Sequence, residues 1–296
     1  MVDRLRLKGT DSWWMFLLLL PTLLGILLGT VGSLAASVAI SLTNWNNVQA
    51  PQWVGLANYV DSFTDPRFGD TLLNTLKFAG LYIPASVIAA LAAALILNSH
   101  AKGRGFFRAA FFFPSLTSSV AVALVFSWIY SQDNGILNQI LGVFGAPPVA
   151  WMGKENILYS VTIANVWGAV GEGMIIFLAA LQAVPSIYYE AARMEGAGKF
   201  HIFRKITFPL ITPALFFQVV IVTVNALQAF EYIYMLTRRT QGESTMATVV
   251  YLIYRNGFRW FNMGLASAQA VLLAAVIIAF MVAYFRAEKK LVVYDK

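Results

Sequence analysis

The sequence predicts an all-α membrane protein, a bundle of six transmembrane helices with both termini in the cytoplasm. Three observations predict it. Only 12% of the 296 residues are charged, 59% are hydrophobic, and the mean hydropathy is +0.68. A soluble globular domain carries about 25% charged residues, so too little polar material remains here to cover a water-facing surface. The charges are also segregated. None occurs between Asp11 and Asp61, Lys77 and Lys102, Arg108 and Asp133, Lys205 and Glu231, or Arg259 and Arg286, and Glu172 alone interrupts the run from Glu155 to Glu190. Finally, basic residues alternate between dense and sparse loops.

Each of these six runs holds the roughly 20 apolar residues that a helix needs to cross a ~30 Å hydrocarbon core. The spans fall at 14–42, 72–97, 109–131, 157–181, 209–230 and 266–285. They are continuously apolar rather than alternating, which favours helices over the strands of a barrel. The first could be a cleaved signal, and its small-residue run at 32–37 fits one. Its apolar stretch is far longer than the roughly 7–15 residues of a signal core, so it is read as a retained helix. Together with the outer loop 43–71, where Trp45, Trp53 and Tyr59 suit the headgroup interface, it reads as an addition to a five-helix remainder.

In the second and third spans, Pro84 and Pro114 are expected to break the backbone ladder. After the fifth span, 231–262 is rich in aromatic residues. Its apolar stretch 248–254 is too short to cross and reads as a helix lying in or dipping into the outer interface.

Orientation follows from Lys and Arg. With the amino terminus inside, fourteen fall in cytoplasmic segments: Arg4, Arg6, Lys8, Lys102, Arg104, Arg108, Arg193, Lys199, Arg204, Lys205, Arg286, Lys289, Lys290 and Lys296. Six fall outside: Arg67, Lys154, Arg238, Arg239, Arg255 and Arg259. Such a bias places both termini in the cytoplasm. The pI of about 9.6 therefore implies no nucleic-acid partner, because the positive excess faces the anionic lipids of the inner leaflet. Absence of cysteine excludes disulfides and thiolate metal sites.

Two constellations stand out within this frame. One is polar residues at membrane depth, where ionisable groups are costly and usually face a cavity. The fourth span carries Asn165, Gly168 and Glu172 on one helical face, and the fifth carries Gln218, Asn225 and Gln228 at spacings of seven and three. Two such stripes could line a hydrophilic path, since amides and carboxylates suit sugar hydroxyls. Interhelical hydrogen bonding that only holds the bundle together explains them equally well.

The other constellation is the cytoplasmic loop between the fourth and fifth spans, Glu190-Ala191-Ala192-Arg193-Met194-Glu195-Gly196-Ala197-Gly198-Lys199. Residues 188–194 are fair helix formers, and Gly196 and Gly198 permit a sharp bend. The loop suits either protein docking or, more simply, an amphipathic stretch on the lipid surface.

This stretch resembles the "EAA" loop of binding-protein-dependent ABC importer permeases, matching at Glu190, Ala191, Ala192, Gly196, Ala197, Phe203, Ile206, Pro209 and Pro213. It departs at Glu195 and Phe208, where that family usually has Asp and Leu. Asn74-Thr75-Leu76, Phe107-Arg108 with Pro114, Trp128, the turn at 135–138 and Leu181-Gln182-Ala183-Val184-Pro185 look like its carbohydrate-uptake branch, the maltose and glycerol-phosphate permeases. The likeness runs from about residue 10 to the carboxyl end.

The resemblance implies a type I importer permease bundle. Residues 1–71 would hold a cytoplasmic segment, the first helix and the outer loop. A five-helix permease core would occupy 72–286 with a coupling loop at 183–208, and a cytoplasmic tail 287–296. Glu190, Ala191, Ala192, Met194, Glu195, Gly196, Ala197 and Gly198 would couple to an ATPase. Asn165, Gly168, Glu172, Asn225 and Gln228 would line the substrate path. The implied partners are a second homologous permease, two ATPase subunits and an extracytoplasmic solute-binding protein, in the plasma (inner) membrane of a bacterium or archaeon. The chain itself would be no enzyme and bind no cofactor or metal, ATP and Mg residing on the partner ATPase. Sugars, polyols and glycerol phosphates all fit.

Arg238 and Arg239 replace the family's usual Gly-Gly-Pro turn. They read as a solvated pair on the outer surface, with a slight lean toward an anionic substrate because Arg suits phosphate. His100 and His201 fall in cytoplasmic loops, as solvated or headgroup-facing residues.

Rival classes fare worse. A histidine-activated intramembrane hydrolase needs that base at membrane depth, and neither histidine lies in a span. An ATPase needs a P-loop, and Gly196-Ala197-Gly198-Lys199 lacks its leading glycine and its hydroxyl residue. A secondary transporter or channel is the serious competitor, but would be expected to show internal repeats or more intramembrane charge.

Overall fold

The structure is a computed structural model that describes residues 9–98, 103–238, 240 and 243–291. Arg4, Arg6, Lys8, His100, Lys102, Arg239, Gln241, Gly242 and Lys296 lie outside the described residues. Helices and their connections make up the described chain, with one isolated bridge between Thr43 and Trp53. Two compact units emerge, Met1–Thr64 with Ile253–Leu272, and Asp65–Leu252 with Leu273–Lys296.

In the first unit, helix α1 (Trp13–Ser41) is long enough to cross a membrane, and none of its most apolar window is buried. The loop after it is better ordered than composition suggests. Asn44 and Val54 N–H groups donate across the bridge to Gln52 and Leu42 at 3.0 and 2.9 Å. Helix α2 (Ala57–Thr64) then returns, and buried Asn58 donates to the carbonyls of both Ser41 and Thr43 at 2.8 Å. Ser41 in turn meets the Tyr59 hydroxyl at 2.7 Å.

The second unit opens on α3 (Pro66–Asn98), which starts six residues before the expected span. Proline suits a first helical position, and the Asp65 carboxylate accepts the Arg67 N–H at 2.9 Å as a cap. Pro84 does not break α3, which runs continuously through it. Proline costs one intrahelical bond, and on either side of the exposed Pro84 the helix is held by Phe78, Ala79 and Tyr82 in one apolar cluster and Val87, Ala90, Ala93 and Ala94 in another.

Helix α3 packs along α7 (Ile157–Ala183), whose Val161, Ala164, Met174 and Phe177 complete both clusters. The alanines allow close approach of the two backbones.

The third span is not one straight helix. It divides into α4 (Arg104–Leu116), ending in a 3-10 turn through Pro114, and α5 (Ser119–Ile129), bent by 100°. An α-helix of 11 residues is about 17 Å long, so α5 alone cannot cross the hydrocarbon core. Helix α6 (Ile136–Val143) follows, organised by Asn138. Its amide donates to the carbonyls of Gln132 and Val149 at 3.0 Å and accepts from Val149 N–H at 3.0 Å and Trp151 Nε1 at 2.9 Å.

After α7 come α8 (Ser186–Met194), α9 (Lys199–Leu210) and α10 (Thr212–Leu227), the last two bent by 66° where Pro209 and Pro213 flank Ile211. Helices α11 (Glu231–Thr237), α12 (Glu243–Met246) and α13 (Val249–Tyr254) precede α14 (Met263–Leu291). Helix α13 buries Val249, Tyr251 and Leu252 in protein. Among the described residues, four helices (α1, α3, α7 and α14) are long and apolar enough to cross a membrane, and counting each bent pair as one span gives six.

Candidate functional site

A cavity of about 420 Å³ opens in the second unit, and its wall contains Asn165, Gly168, Glu172, Asn225 and Gln228. The two polar stripes thus converge on one space. Helix α7 supplies the first three from one face, one and two turns apart. Asn225 and Gln228 come from the end of α10. Gln218 does not join them. It is buried, and its amide lies where a side chain on Gly173 would be. Of the expected polar residues, that one packs helices together.

The spacing of α7 against its neighbours depends on missing side chains. At Gly168 a Cβ would land on the Tyr232 hydroxyl. At Gly171 it would come within 2.6 Å of the Phe111 carbonyl oxygen and 2.8 Å of the Phe112 Cα, at the break of the third span. At Gly173 it would lie 2.8 Å from the Ala90 Cβ. Four neighbouring elements, α3, α4, α10 and α11, therefore meet α7 on its glycines, immediately around Glu172.

The break in the third span and the junction between α10 and α11 also contribute polar groups. Ser115, Thr117 and Ser119 come from the break between α4 and α5, and Glu231 and Tyr232 from the start of α11, while Tyr82 of α3 adds a phenol. Ser115 Oγ donates to the Phe112 carbonyl at 2.7 Å and Asn165 Nδ2 to the Val161 carbonyl at 2.9 Å. Each keeps its oxygen as an acceptor. Burial, with Tyr82 and Glu231 adding, pushes the Tyr232 hydroxyl up to about 12, so it remains a neutral donor. Phe230 contributes an aromatic wall, its ring stacked on Tyr234 at 5.3 Å.

Sequence reading missed these residues for two reasons. Glu231 marks the end of a charge-free run, which in sequence alone is a span boundary. Ser115, Thr117, Ser118 and Ser119 form a hydroxyl-rich patch in an otherwise apolar stretch after Pro114. That patch was the available signal.

The cytoplasmic-loop residues form a separate surface. Helix α8 ends in a Schellman turn, with Gly196 N–H bonded to the Arg193 carbonyl at 3.0 Å and Ala197 N–H to the Ala192 carbonyl at 2.9 Å. This closure requires the left-handed φ of +76° at Gly196, where any Cβ would be strained. Gly198 is extended, with φ of −71°, and caps α9, so only the first glycine is needed for the bend. Glu190, Ala191, Glu195 and Gly198 are exposed, Ala192 and Ala197 half-buried. Met194 is 89% exposed, Phe200 75% and Ile187 66%. The Tyr189 hydroxyl, 3.3 Å from Thr207 Oγ1, ties the loop to its return segment.

Arg238 lies apart from the cavity wall, over the ring of Tyr234 at 5.7 Å. His201 is exposed on α9.

An all-helical bundle with six possible spans, a polar cavity at its broken helices and an exposed hinged helix defines a transport subunit. The chain belongs to the family of binding-protein-dependent transport system inner membrane components, whose model matches residues 82–292. It is 35% identical over 263 residues to the probable ABC transporter permease protein YesP of Bacillus subtilis (strain 168), covering 87% of this chain and 84% of that protein. Over 283 residues it is 30% identical to the trehalose/maltose transport system permease protein MalF of Thermococcus litoralis, covering 95% of each. Its fold matches a chain of the bacterial alginate ABC transporter, solved in complex with an alginate pentasaccharide-bound periplasmic protein, with a TM-score of 0.86 at 23% identity over 97% of this chain and 98% of that one. The chain is therefore a multi-pass permease subunit of an ABC importer, a transport component rather than an enzyme.

Proposed function

We propose that this permease carries a sugar or related polyol through the cavity at Glu172 and that the helix at Glu190–Met194 couples it to a separate ATPase. The convergence of Asn165, Gly168, Glu172, Asn225 and Gln228 on one cavity is the observation that carries the first half. Amides, hydroxyls and carboxylates beside aromatic faces suit polyhydroxylated solutes, and likeness to a trehalose/maltose permease supports the same class.

The second half rests on exposure. Ile187 and Met194 on the short helix, and Phe200 just past its glycine hinge, are apolar side chains left in the open, as a docking element would have them. In this reading both termini and the loop 183–208 are cytoplasmic, in the plasma membrane of a bacterium or archaeon. The subunit pairs with a homologous permease and two ATPase subunits, which hold the ATP and Mg, and receives solute from an extracytoplasmic binding protein. Closure of the ATPase pair moves α8, and the bent helices carry that motion to the cavity. Residues 1–71 then add a helix to the core 72–286, and 287–296 form a tail. A secondary transporter or channel is not favoured.

Glu190→Lys or Gly196→Asp is expected to abolish solute uptake and solute-stimulated ATP hydrolysis in the reconstituted complex, with membrane insertion intact. Normal coupled hydrolysis in both would overturn the docking assignment.

A further inference from the structure

We infer that the cavity selects against negative charge, so that the solute is an uncharged or positively charged polyhydroxylated molecule, without phosphate or carboxylate. The inference rests on the cavity being the solute path, and concerns the half of that path which this chain supplies.

The wall contains two carboxylates, Glu172 and Glu231, and neither Lys nor Arg. Both carboxylates are exposed to the space rather than buried in protein. The ion pair of Arg67 with Asp65 is elsewhere. Arg238, the basic residue that offered an anion site, is stacked on Tyr234 outside the cavity wall.

Backbone dipoles do not offset this charge. A helix end carries about half an elementary charge, positive at the amino end and negative at the carboxyl end. Each break brings one of each to the cavity. The turn ending at Leu116 precedes the start of α5 at Ser119, and α10 ends at Leu227 shortly before α11 begins at Glu231. The opposed ends cancel to a first approximation, leaving the two side-chain charges.

Tyr82, Phe230 and Tyr232 line the same space and bring no positive charge to it. Two unit charges ~7 Å from a solute anion at an effective dielectric of about 20 give repulsion large enough for a discrimination of tenfold or more.

The natural absence of cysteine makes a direct test possible. Ser119→Cys and Asn225→Cys place single thiols in the wall from two different helices, α5 and α10. Each is assembled with its ATPase, permease and binding-protein partners in vesicles, and complex recovery is checked by co-purification. Cationic and anionic methanethiosulfonates of similar size are then applied, with rates normalised to a free thiol. The cationic reagent is expected to react at least about tenfold faster, with the preference falling to near unity when Glu172→Gln and Glu231→Gln are added. Ready reaction without charge preference overturns the inference and leaves the solute path standing. Failure of both thiols to react with either reagent, with and without ATP, overturns the path and the inference together.

Discussion

The cavity and the loop around α8 break the ordinary rule of protein surfaces in opposite directions. At the cavity, polar and charged groups are placed within a bundle of apolar helices. Along the loop, Ile187 and Met194 of α8 and Phe200 at the start of α9 are left uncovered. Each is unfavourable for an isolated chain, and each makes sense if something else completes it: a polar solute in the first case, an apolar protein surface in the second. The lesson is that departures from good folding, rather than regular features, separate the two working regions.

The largest effect on the cavity region is expected at Gly171. Its Cα sits against the backbone of Phe111 and Phe112, which cannot swing aside as a side chain does. Gly171→Val should cost about 3 kcal/mol or more in packing and sharply reduce recovery of assembled complex from membranes. Normal recovery and melting would show that the α4–α7 approach is adjustable.

A smaller effect, confined to the cavity, is expected of Glu172→Ala. Uptake should change by about tenfold, with complex assembly preserved, because the side chain is exposed and carries no packing load. Unchanged uptake would return Glu172 to a purely structural role.

The smallest lies at the loop. Met194→Ala should lower coupled ATP hydrolysis about fivefold, corresponding to ~1 kcal/mol for one truncated apolar contact, without altering solute preference. A change in preference in this variant, or a change in ATPase docking with Glu172→Ala, would show that the two regions are not separable.

Much of this organisation was legible in the linear chain. Charge-free runs located the membrane segments, and the spacing of Asn165, Gly168 and Glu172 placed them on one face because a helix has a fixed period. The bends were not legible. Hydropathy adds up along a segment and carries no direction, so a 100° turn inside 109–131 leaves the sum unchanged. Pro84 and Pro114 looked equivalent, yet one is absorbed by packing on both sides and the other lies at the turn.

Glu231 was hidden for a related reason. A charge at the end of an apolar run reads as arrival in water, whereas here the chain ends one helix and starts another at the cavity wall. In the loop, both glycines looked alike, and only backbone geometry distinguishes Gly196 at +76° from Gly198 at −71°.

Asn58 and Asn138 carry a further consequence. Each amide reaches across its loop to main-chain groups, Asn58 to Ser41 and Thr43, Asn138 to Gln132 and Val149. They act as non-covalent staples. Each shortens the closed segment that the chain must organise, and so lowers the entropy lost when the loop sets. Because these staples form and break without an oxidant or a disulfide isomerase, the loops can anneal repeatedly as the helices beside them move.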